Sequence, residues 1–274
     1  MFAKPGQTVI YMKLKLIIVA LALTFSFSCD KNQGLNIFSV EDDIALGKQV
    51  SNEIASNPQS YPLLDTFQYA ASYAYLQNIR NKILNGGELF YKDEFAWQMH
   101  IIHDDNTVNA FCTPGGYIYI YTGLLKYLAS EDELAGVMAH EMAHADLRHT
   151  TEQLTKIYGV DLLVSILLGD TSNELAGIAE NLVFLAFSRD DEAEADEHSV
   201  VYLCPTDYNA AGAAGFFEKL IAEGNTGNSP VFLSDHPDPG NRLEDINTKK
   251  TELGCTGTGT YDQAYHDFLL TLPL

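Results

Sequence analysis

The sequence His140-Glu141-Met142-Ala143-His144 places two histidines four residues apart, with a glutamate beside the first. On an α-helix, residues four apart share a face and lie about 6 Å apart along the axis, so both imidazoles can reach one metal ion. Glu141 then lies close enough to act on a water molecule bound to that metal. The pentapeptide predicts a catalytic zinc site with His140 and His144 as ligands and Glu141 as the general base.

The residues before the motif predict that it lies within a helix. Ser130, followed three residues later by Glu133, has the pattern of a capping box. Apolar residues then recur at helical spacing, at Leu134, Val137, Met138, Met142 and Ala145. The alternative is a charged helix face whose histidines are four apart by chance, and the surrounding pattern favours the metal site.

A catalytic zinc ion takes three protein ligands and leaves a fourth position to water. The third ligand is expected in the acidic, alanine-rich run of residues 188–198, whose Ala and Glu residues favour a helix. Such a run often forms a solvated helix face. Residue chemistry alone leaves Glu192, Glu194 and His198 as alternative ligands.

Further segments accompany the zinc motif along the chain. They are residues 108–116, residues 122–125, residues 133–137, Arg148-His149, Ser188-Arg189, Glu192 with Ala195-Asp196, His236-Pro237 and Arg242-Leu243. Together they resemble the M48 family of zinc metallopeptidases, which includes the CAAX prenyl protease and HtpX-type proteases. The chain is most similar to the soluble periplasmic and lipoprotein members. The resemblance extends over about residues 44–247.

The resemblance implies that one zinc ion per chain is held by His140, His144 and Glu192, with Glu141 as the catalytic base. Asp196 matches an aspartate that accepts the N–H of a ligand histidine and so fixes its orientation. The alternative for Asp196 is a surface carboxylate. His149 resembles a family histidine that packs near the motif, and no chemistry is assigned to it.

Two residues in or after the His-Pro segment are possible regulatory or supporting groups. In some periplasmic relatives, the histidine at the position of His236 occupies the open zinc position in a resting state. The alternative for His236 is an ordinary loop histidine. Arg242 is expected either to stabilise the oxyanion or to anchor its loop by pairing with a carboxylate.

The fold class expected is α+β, a helix-dominated, zincin-like domain with a small antiparallel sheet beside the motif helix. Residues 97–102 and 117–121 alternate and are rich in β-formers, so they predict the strands. In zinc peptidases, an edge strand commonly holds the extended substrate. Helical patterns predict helices at about residues 40–55, 66–84, 131–147, 152–168, 172–187, 190–203, 208–223 and 241–252.

The amino terminus predicts export. Lys13 and Lys15 precede an apolar stretch at residues 16–27, which is shorter than the roughly 20 residues of a membrane span and typical of a signal peptide. Cys29 is then the expected lipidated first residue. Ser26 departs from the leucine usual in that pattern, so ordinary cleavage after Ser28 is the alternative.

These signals divide the chain into three parts. Residues 1–28 are expected to be an upstream extension and signal peptide starting at Met12, residues 29–39 a tether, and residues 40–274 a single M48-type domain. The expected location is the periplasm, or the outer membrane as a lipoprotein of a bacterial envelope.

Composition limits the partners. The formal net charge is −21, which excludes nucleic-acid binding through a positive field. The four cysteines form no C-x-x-C pair, so no structural zinc knuckle is expected. Cys204 and Cys255 can pair in an oxidising compartment, but their spacing does not establish it. The oligomeric state is left open.

The function expected is a zinc-dependent metalloendopeptidase that hydrolyses envelope proteins in protein quality control, with polypeptides as substrates. The alternative is a zinc-binding, chaperone-like protein that binds clients and whose proteolysis is weak or gated. Changing Glu141 to glutamine discriminates between the two.

Overall fold

The structure, a computed structural model, describes residues 36–169, 173–224, 231–237 and 240–273. The predicted signal peptide, the processing site at Cys29 and most of the tether lie outside these residues. Asn36–Leu274 forms one compact unit. Within the described part of the chain, no helix combines the length and apolar character needed to cross a membrane.

Helices dominate the described residues. In chain order they are α1 (Val40–Ser56), α2 (Ala70–Gly86), α3 (Thr122–Tyr127), α4 (Glu131–Asp146), α5 (His149–Tyr158), α6 (Val160–Leu167), α7 (Asn173–Leu182), α8 (Arg189–Leu203), α9 (Gly212–Gly224), α10 (Phe232–Asp235), α11 (Arg242–Leu253) and α12 (Asp262–Leu269). The strands are β1 (Gln98–Ile102), β2 (Ala110–Thr113) and β3 (Tyr117–Tyr121). The predicted helix-dominated α+β class is confirmed.

The direction of strand pairing differs from the prediction. The sheet has the order β1-β3-β2, in which β1 pairs parallel to β3 and β2 pairs antiparallel to it. The sheet is therefore mixed, because the four-residue strand β2 was missed and it forms the hairpin with β3. The intervening turn uses Gly115 and Gly116 at φ 71° and 83°, which glycine adopts without steric cost.

Alternate residues of the strands enter two hydrophobic clusters. Ile118 and Ile120 of β3 belong to the cluster that contains the motif helix α4. Tyr117, Tyr119 and Tyr121 belong to the cluster formed with α1, α6 and α7. Because side chains of a strand point alternately to its two faces, the sheet is buried on both sides and supports α4 from one of them.

The predicted helix at residues 152–168 is two helices. Gly159, at φ 77°, separates α5 from α6. The helices α3, α10 and α12 were not predicted. α10 lies at the beginning of the segment that was predicted as a loop around His236, and its four residues are too few to show a helical pattern.

The predicted capping box at Ser130 is not formed. Ser130 is the N-cap residue of α4, but its side chain caps no backbone N–H. Instead, the Thr260 carbonyl accepts hydrogen bonds from the backbone N–H groups of Glu131 and Asp132 at 3.0 and 3.4 Å. Glu133 accepts a hydrogen bond from the backbone N–H of Ala129, one residue before the N-cap. A tertiary contact thus replaces the local cap.

A disulfide bond joins Cys204, at the end of α8, to Cys255, just after α11. The pairing that the sequence left open is therefore present in the structure. It ties together two helices that carry residues of the site described next, since Glu192 lies on α8 and Arg242 on α11.

Candidate metal centre and active site

His140 and His144 point from the second half of α4 into the interior, and both are fully buried. Their Nε2 atoms are 3.1 Å apart. The four-residue spacing on a regular helix produces this convergence, as the motif predicted. Phe187 stacks on the His144 ring with 3.8 Å between the ring centroids, which holds the imidazole in place.

Glu192 comes to the same point from α8. That helix begins with a capping box formed by Ser188 and Asp191, so Glu192 lies in its first turn. Its carboxylate oxygens lie 3.4 Å from His140 Nε2 and 3.3 Å from His144 Nε2.

The other alternative ligands are directed elsewhere. Glu194 Oε2 lies 3.3 Å from His149 Nε2. His198 Nδ1 contacts the backbone carbonyl of Glu194, on its own helix, at 3.0 Å. Of the three residues that chemistry allowed, only Glu192 belongs to the described cluster that can hold a metal.

His236 completes the cluster from the segment after α10, and it is 1% exposed. Its Nδ1 atom lies 3.3 Å from His140 Nε2 and 3.0 Å from the Glu192 carboxylate. Its Nε2 atom lies 3.4 Å from Glu141 Oε1. The residue predicted from the His-Pro segment thus lies between the predicted ligands and Glu141, the predicted base.

The distances between these donors fit a zinc ion. Zinc bonds of about 2.0–2.1 Å in a tetrahedron separate neighbouring donor atoms by about 3.3–3.4 Å. Five separations among the donor atoms of His140, His144, Glu192 and His236, with both Glu192 oxygens counted, run from 3.0 to 3.4 Å. With one donor atom per residue, all four lie within 4.8 Å of one another. Imidazole nitrogens with one carboxylate are also a donor set that zinc prefers.

Charge interactions among the donors shift their proton affinities. Burial acts to raise the pKa of Glu192, but His236, His140 and His144 outweigh it and hold that pKa well below its usual value. Burial is likewise the largest influence on His144, and it lowers the pKa of that imidazole. Glu192 therefore stays ionised and His144 neutral, which are the forms that bind a metal.

Glu141 is buried and has no hydrogen-bond partner for either carboxylate oxygen among the described residues. Burial raises the pKa of this carboxyl group, while the nearby His236 and His140 act to lower it. A buried carboxylate without a hydrogen bond is costly and needs a reason. Its position beside the cluster suits a group that exchanges protons there.

Asp196 and Arg242 contact the predicted ligands His140 and Glu192 from outside the cluster. Asp196 Oδ1 lies 2.9 Å from His140 Nδ1, the nitrogen that faces away from the cluster. Arg242 donates from Nε to Asp196 Oδ2 at 2.6 Å and from Nη2 to Glu192 Oε2 at 2.8 Å. Its guanidinium also lies over the Phe217 ring. Of the two roles expected for Arg242, the carboxylate anchor is the one whose contacts are formed.

The resemblance placed His149 near the motif, and the structure shows which residues it contacts there. His149 Nδ1 lies 3.1 Å from His144 Nδ1, and its other nitrogen faces Glu194. His144 thus has a partner on the side away from the cluster, as His140 has Asp196. The five-residue separation carries no signal for this contact, because it depends on a turn at Arg148, which adopts φ 66°.

The family model for peptidase family M48 matches residues 70–250. The chain belongs to peptidase family M48. The family resemblance drawn from the motifs is therefore confirmed. Zinc is confirmed as the cofactor, since M48 enzymes are zinc-dependent and the cluster here can hold the ion.

Several characterised M48 proteins are similar to this chain. Metalloprotease LoiP of Escherichia coli is 27% identical over 263 residues, which cover 89% of this chain and 99% of LoiP. Mitochondrial metalloendopeptidase OMA1 of Schizosaccharomyces pombe is 33% identical over 56% of this chain and 46% of its own length. The beta-barrel assembly-enhancing protease of E. coli is 28% identical over 56% of this chain. The chain spans less than half of the matched OMA1 proteins of S. pombe and Arabidopsis thaliana.

Proposed function

We propose that this protein is a zinc metalloendopeptidase that hydrolyses peptide bonds in polypeptides of the bacterial envelope. The observation that carries the proposal is the position of Glu141, a buried carboxylate with no hydrogen bond, beside a donor set with zinc spacing. A purely structural zinc site has no use for such a group. The M48 family match supports the same reaction.

His140, His144 and Glu192 are proposed as the zinc ligands. When bound, zinc polarises the scissile carbonyl and lowers the pKa of water towards neutrality. Glu141 then takes the proton of the attacking water and returns it to the leaving amine. The raised pKa of Glu141 suits both steps, because a group poised closer to neutrality can accept a proton and release it again.

Asp196 and Arg242 are proposed to position the ligands. Asp196 Oδ1 faces His140 Nδ1 at 2.9 Å, which leaves Nε2 free for the metal. Arg242 pairs with both Glu192 and Asp196 and so holds two neighbouring carboxylates in place in a buried site. Neither residue touches the substrate in this account.

His236 is proposed to occupy the fourth zinc position in a resting state. Its Nδ1 atom lies 3.3 Å from His140 Nε2 and 3.0 Å from the Glu192 carboxylate, close to the separation of two donors on one zinc ion. Its Nε2 atom faces Glu141. In that state it excludes the catalytic water and covers the base. Substrate entry must then move the segment that carries it.

The biological role is proposed from the relatives. LoiP is named as a metalloprotease and another relative as a beta-barrel assembly-enhancing protease. We propose that this chain removes misfolded or unassembled envelope proteins. Residues 1–28 are proposed as extension and signal peptide, Cys29 as the lipidated residue, residues 29–39 as a tether and residues 40–274 as the peptidase domain.

A chaperone-like role is the second proposal. His236 contacts both Glu192 and Glu141, which favours a site that is closed at rest. In such a site, the protein can bind a client without cleaving it. If the protein binds clients without cleaving them, the Glu141→Gln variant is expected to keep its zinc and its function in cells.

Casein hydrolysis by the zinc-loaded protein tests the enzyme proposal. Glu141→Gln is expected to reduce cleavage by about 10²–10⁴-fold, because it removes general-base catalysis, while zinc content stays unchanged. His236→Ala is expected to increase cleavage by opening the fourth position. Equal casein cleavage by wild type and Glu141→Gln would contradict the proposed mechanism. Unchanged or lower cleavage in His236→Ala would contradict the resting-state role alone.

A further inference from the structure

A second cavity lies outside the metal centre. It has a volume of about 590 Å³ and is bordered by α1, the ends of β1 and β3, and α7. Apolar and aromatic side chains form much of its wall, among them Tyr61, Ile102, Tyr121, Val183 and Phe184. This volume is in the range of ligand-binding pockets, and Phe184 is 61% exposed at its edge.

Carboxylates predominate among the ionisable groups of the cavity, where His103 is the one possible cation of the described lining. Glu53 on α1 and Glu180 on α7 both line it, and neither carboxylate has a hydrogen bond or ion pair to any described residue. Both act on Tyr61, whose pKa is raised by burial and then by these two carboxylates. Asp104 also lines the cavity, but its oxygens accept hydrogen bonds from Asn106 and Thr107. The described lining includes no lysine or arginine.

Asn109 links the cavity to the metal centre. Its side-chain amide donates to the Val183 carbonyl at 3.1 Å and to Asp235 Oδ2 at 2.9 Å. Val183 is part of the cavity wall, and Asp235 directly precedes His236. Asn109 also directly precedes β2, the edge strand of the sheet. The cavity wall and the residue before His236 are therefore joined through one side chain.

We infer that this cavity binds a lysine or arginine side chain of the client polypeptide, together with a neighbouring apolar residue. The long aliphatic stem of such a side chain packs on the exposed ring of Phe184, while its charged end reaches Glu53 and Glu180. An acidic client side chain is repelled at the same place. The inference rests on the proposed function, since it assigns a substrate preference to that enzyme.

Peptide binding tests the inference without cleavage. The zinc-loaded Glu141→Gln protein is titrated against fluorescein-labelled apolar peptides that differ only in one central residue: lysine, its neutral analogue norleucine, or glutamate. The lysine peptide is expected to bind about fivefold more tightly than the norleucine peptide, as two partly exposed ion pairs allow. The glutamate peptide is expected to bind most weakly.

Two sets of variants locate the preference. The double variant Glu53→Gln, Glu180→Gln is expected to bind the lysine and norleucine peptides equally. The control Glu88→Gln, Glu218→Gln removes the same charge from exposed positions outside the cavity lining and is expected to keep the preference. Ala176→Trp, at an exposed position of the lining, is expected to weaken the binding of both peptides, because the indole fills the entrance of the cavity.

Equal binding of the lysine and norleucine peptides by the parent protein overturns the inference. So does a lysine preference that persists in the Glu53→Gln, Glu180→Gln variant. Loss of the preference in the control pair as well shows that only the net charge matters, and also overturns it. Failure of the proposed function has a different signature, because wild type then leaves casein intact whatever the peptides show.

Discussion

Replacing Asp196 by asparagine tests whether the groups behind the ligands set the zinc affinity. In the structure, one Asp196 oxygen faces His140 Nδ1 at 2.9 Å and the other accepts the Arg242 Nε–H at 2.6 Å. Both neighbours present N–H groups to Asp196 when His140 binds metal through Nε2. Asparagine has one oxygen and one amide nitrogen, so one of the two contacts becomes donor against donor.

The expected loss is 10- to 100-fold in zinc affinity, the range found when a partner of a ligand histidine is changed. It corresponds to about 1.4–2.8 kcal/mol. The Asp196→Asn protein is titrated with zinc in competition with a chelating dye, at constant pH and salt. Its thermal unfolding with saturating zinc shows whether the fold is retained.

Glu197→Gln is the matched control. Glu197 is the next residue on α8, its side chain is 52% exposed, and it pairs with Lys249 on the surface. The variant removes the same charge, but an exposed ion pair contributes little, so its zinc affinity is expected to equal that of wild type. If Asp196→Asn binds zinc within twofold of Glu197→Gln, the reasoning about Asp196 is refuted.

Two further predictions concern the scaffold. A Cβ atom at Gly47 would lie 1.8 Å from the Pro114 carbonyl oxygen, so Gly47→Ala is expected to lower the unfolding free energy by about 3 kcal/mol. Gly177→Ala, which meets no neighbour within 4 Å, is expected to raise it by about 0.5–1 kcal/mol; equal urea midpoints for the two would refute the close contact. Burial lowers the pKa of His100 to about 4, so the unfolded state binds a proton first as the pH falls below about 6.5. Between pH 7.5 and 5.0, the unfolding free energy of wild type is therefore expected to fall by about 2 kcal/mol more than that of His100→Phe. An equal fall in the two proteins, measured by urea unfolding at both pH values, would contradict this.

The sequence predicted those parts of the site that depend on local helix geometry. His140 and His144 converge because four residues make about one helical turn, and Glu192 and Asp196 share a face of α8 for the same reason. The choice of Glu192 over Glu194 required the family resemblance. Both residues lie on one helix, and only its packing against α4 decides which of them points inward.

Features that depend on distant contacts were not predictable. The first N–H groups of α4 bond to Thr260, which is more than a hundred residues away, so the Ser130 pattern was misleading. The parallel pairing of β1 with β3 requires β2 to intervene, and four residues are too few to show alternation. The turn that brings His149 to His144 requires Arg148 to adopt a positive φ, stabilised by its ion pair with Asp43.

We propose that His140, His144 and Glu192 hold one zinc ion, and that Glu141 acts beside it as the general base without binding it. Zinc content measured by mass spectrometry on the purified protein tests it most directly, with Glu141→Gln and His144→Ala beside wild type. One zinc per chain is expected in wild type and in Glu141→Gln, and a large loss of zinc is expected in His144→Ala. A wild-type protein without tightly bound zinc, or full zinc retention in His144→Ala, would contradict it.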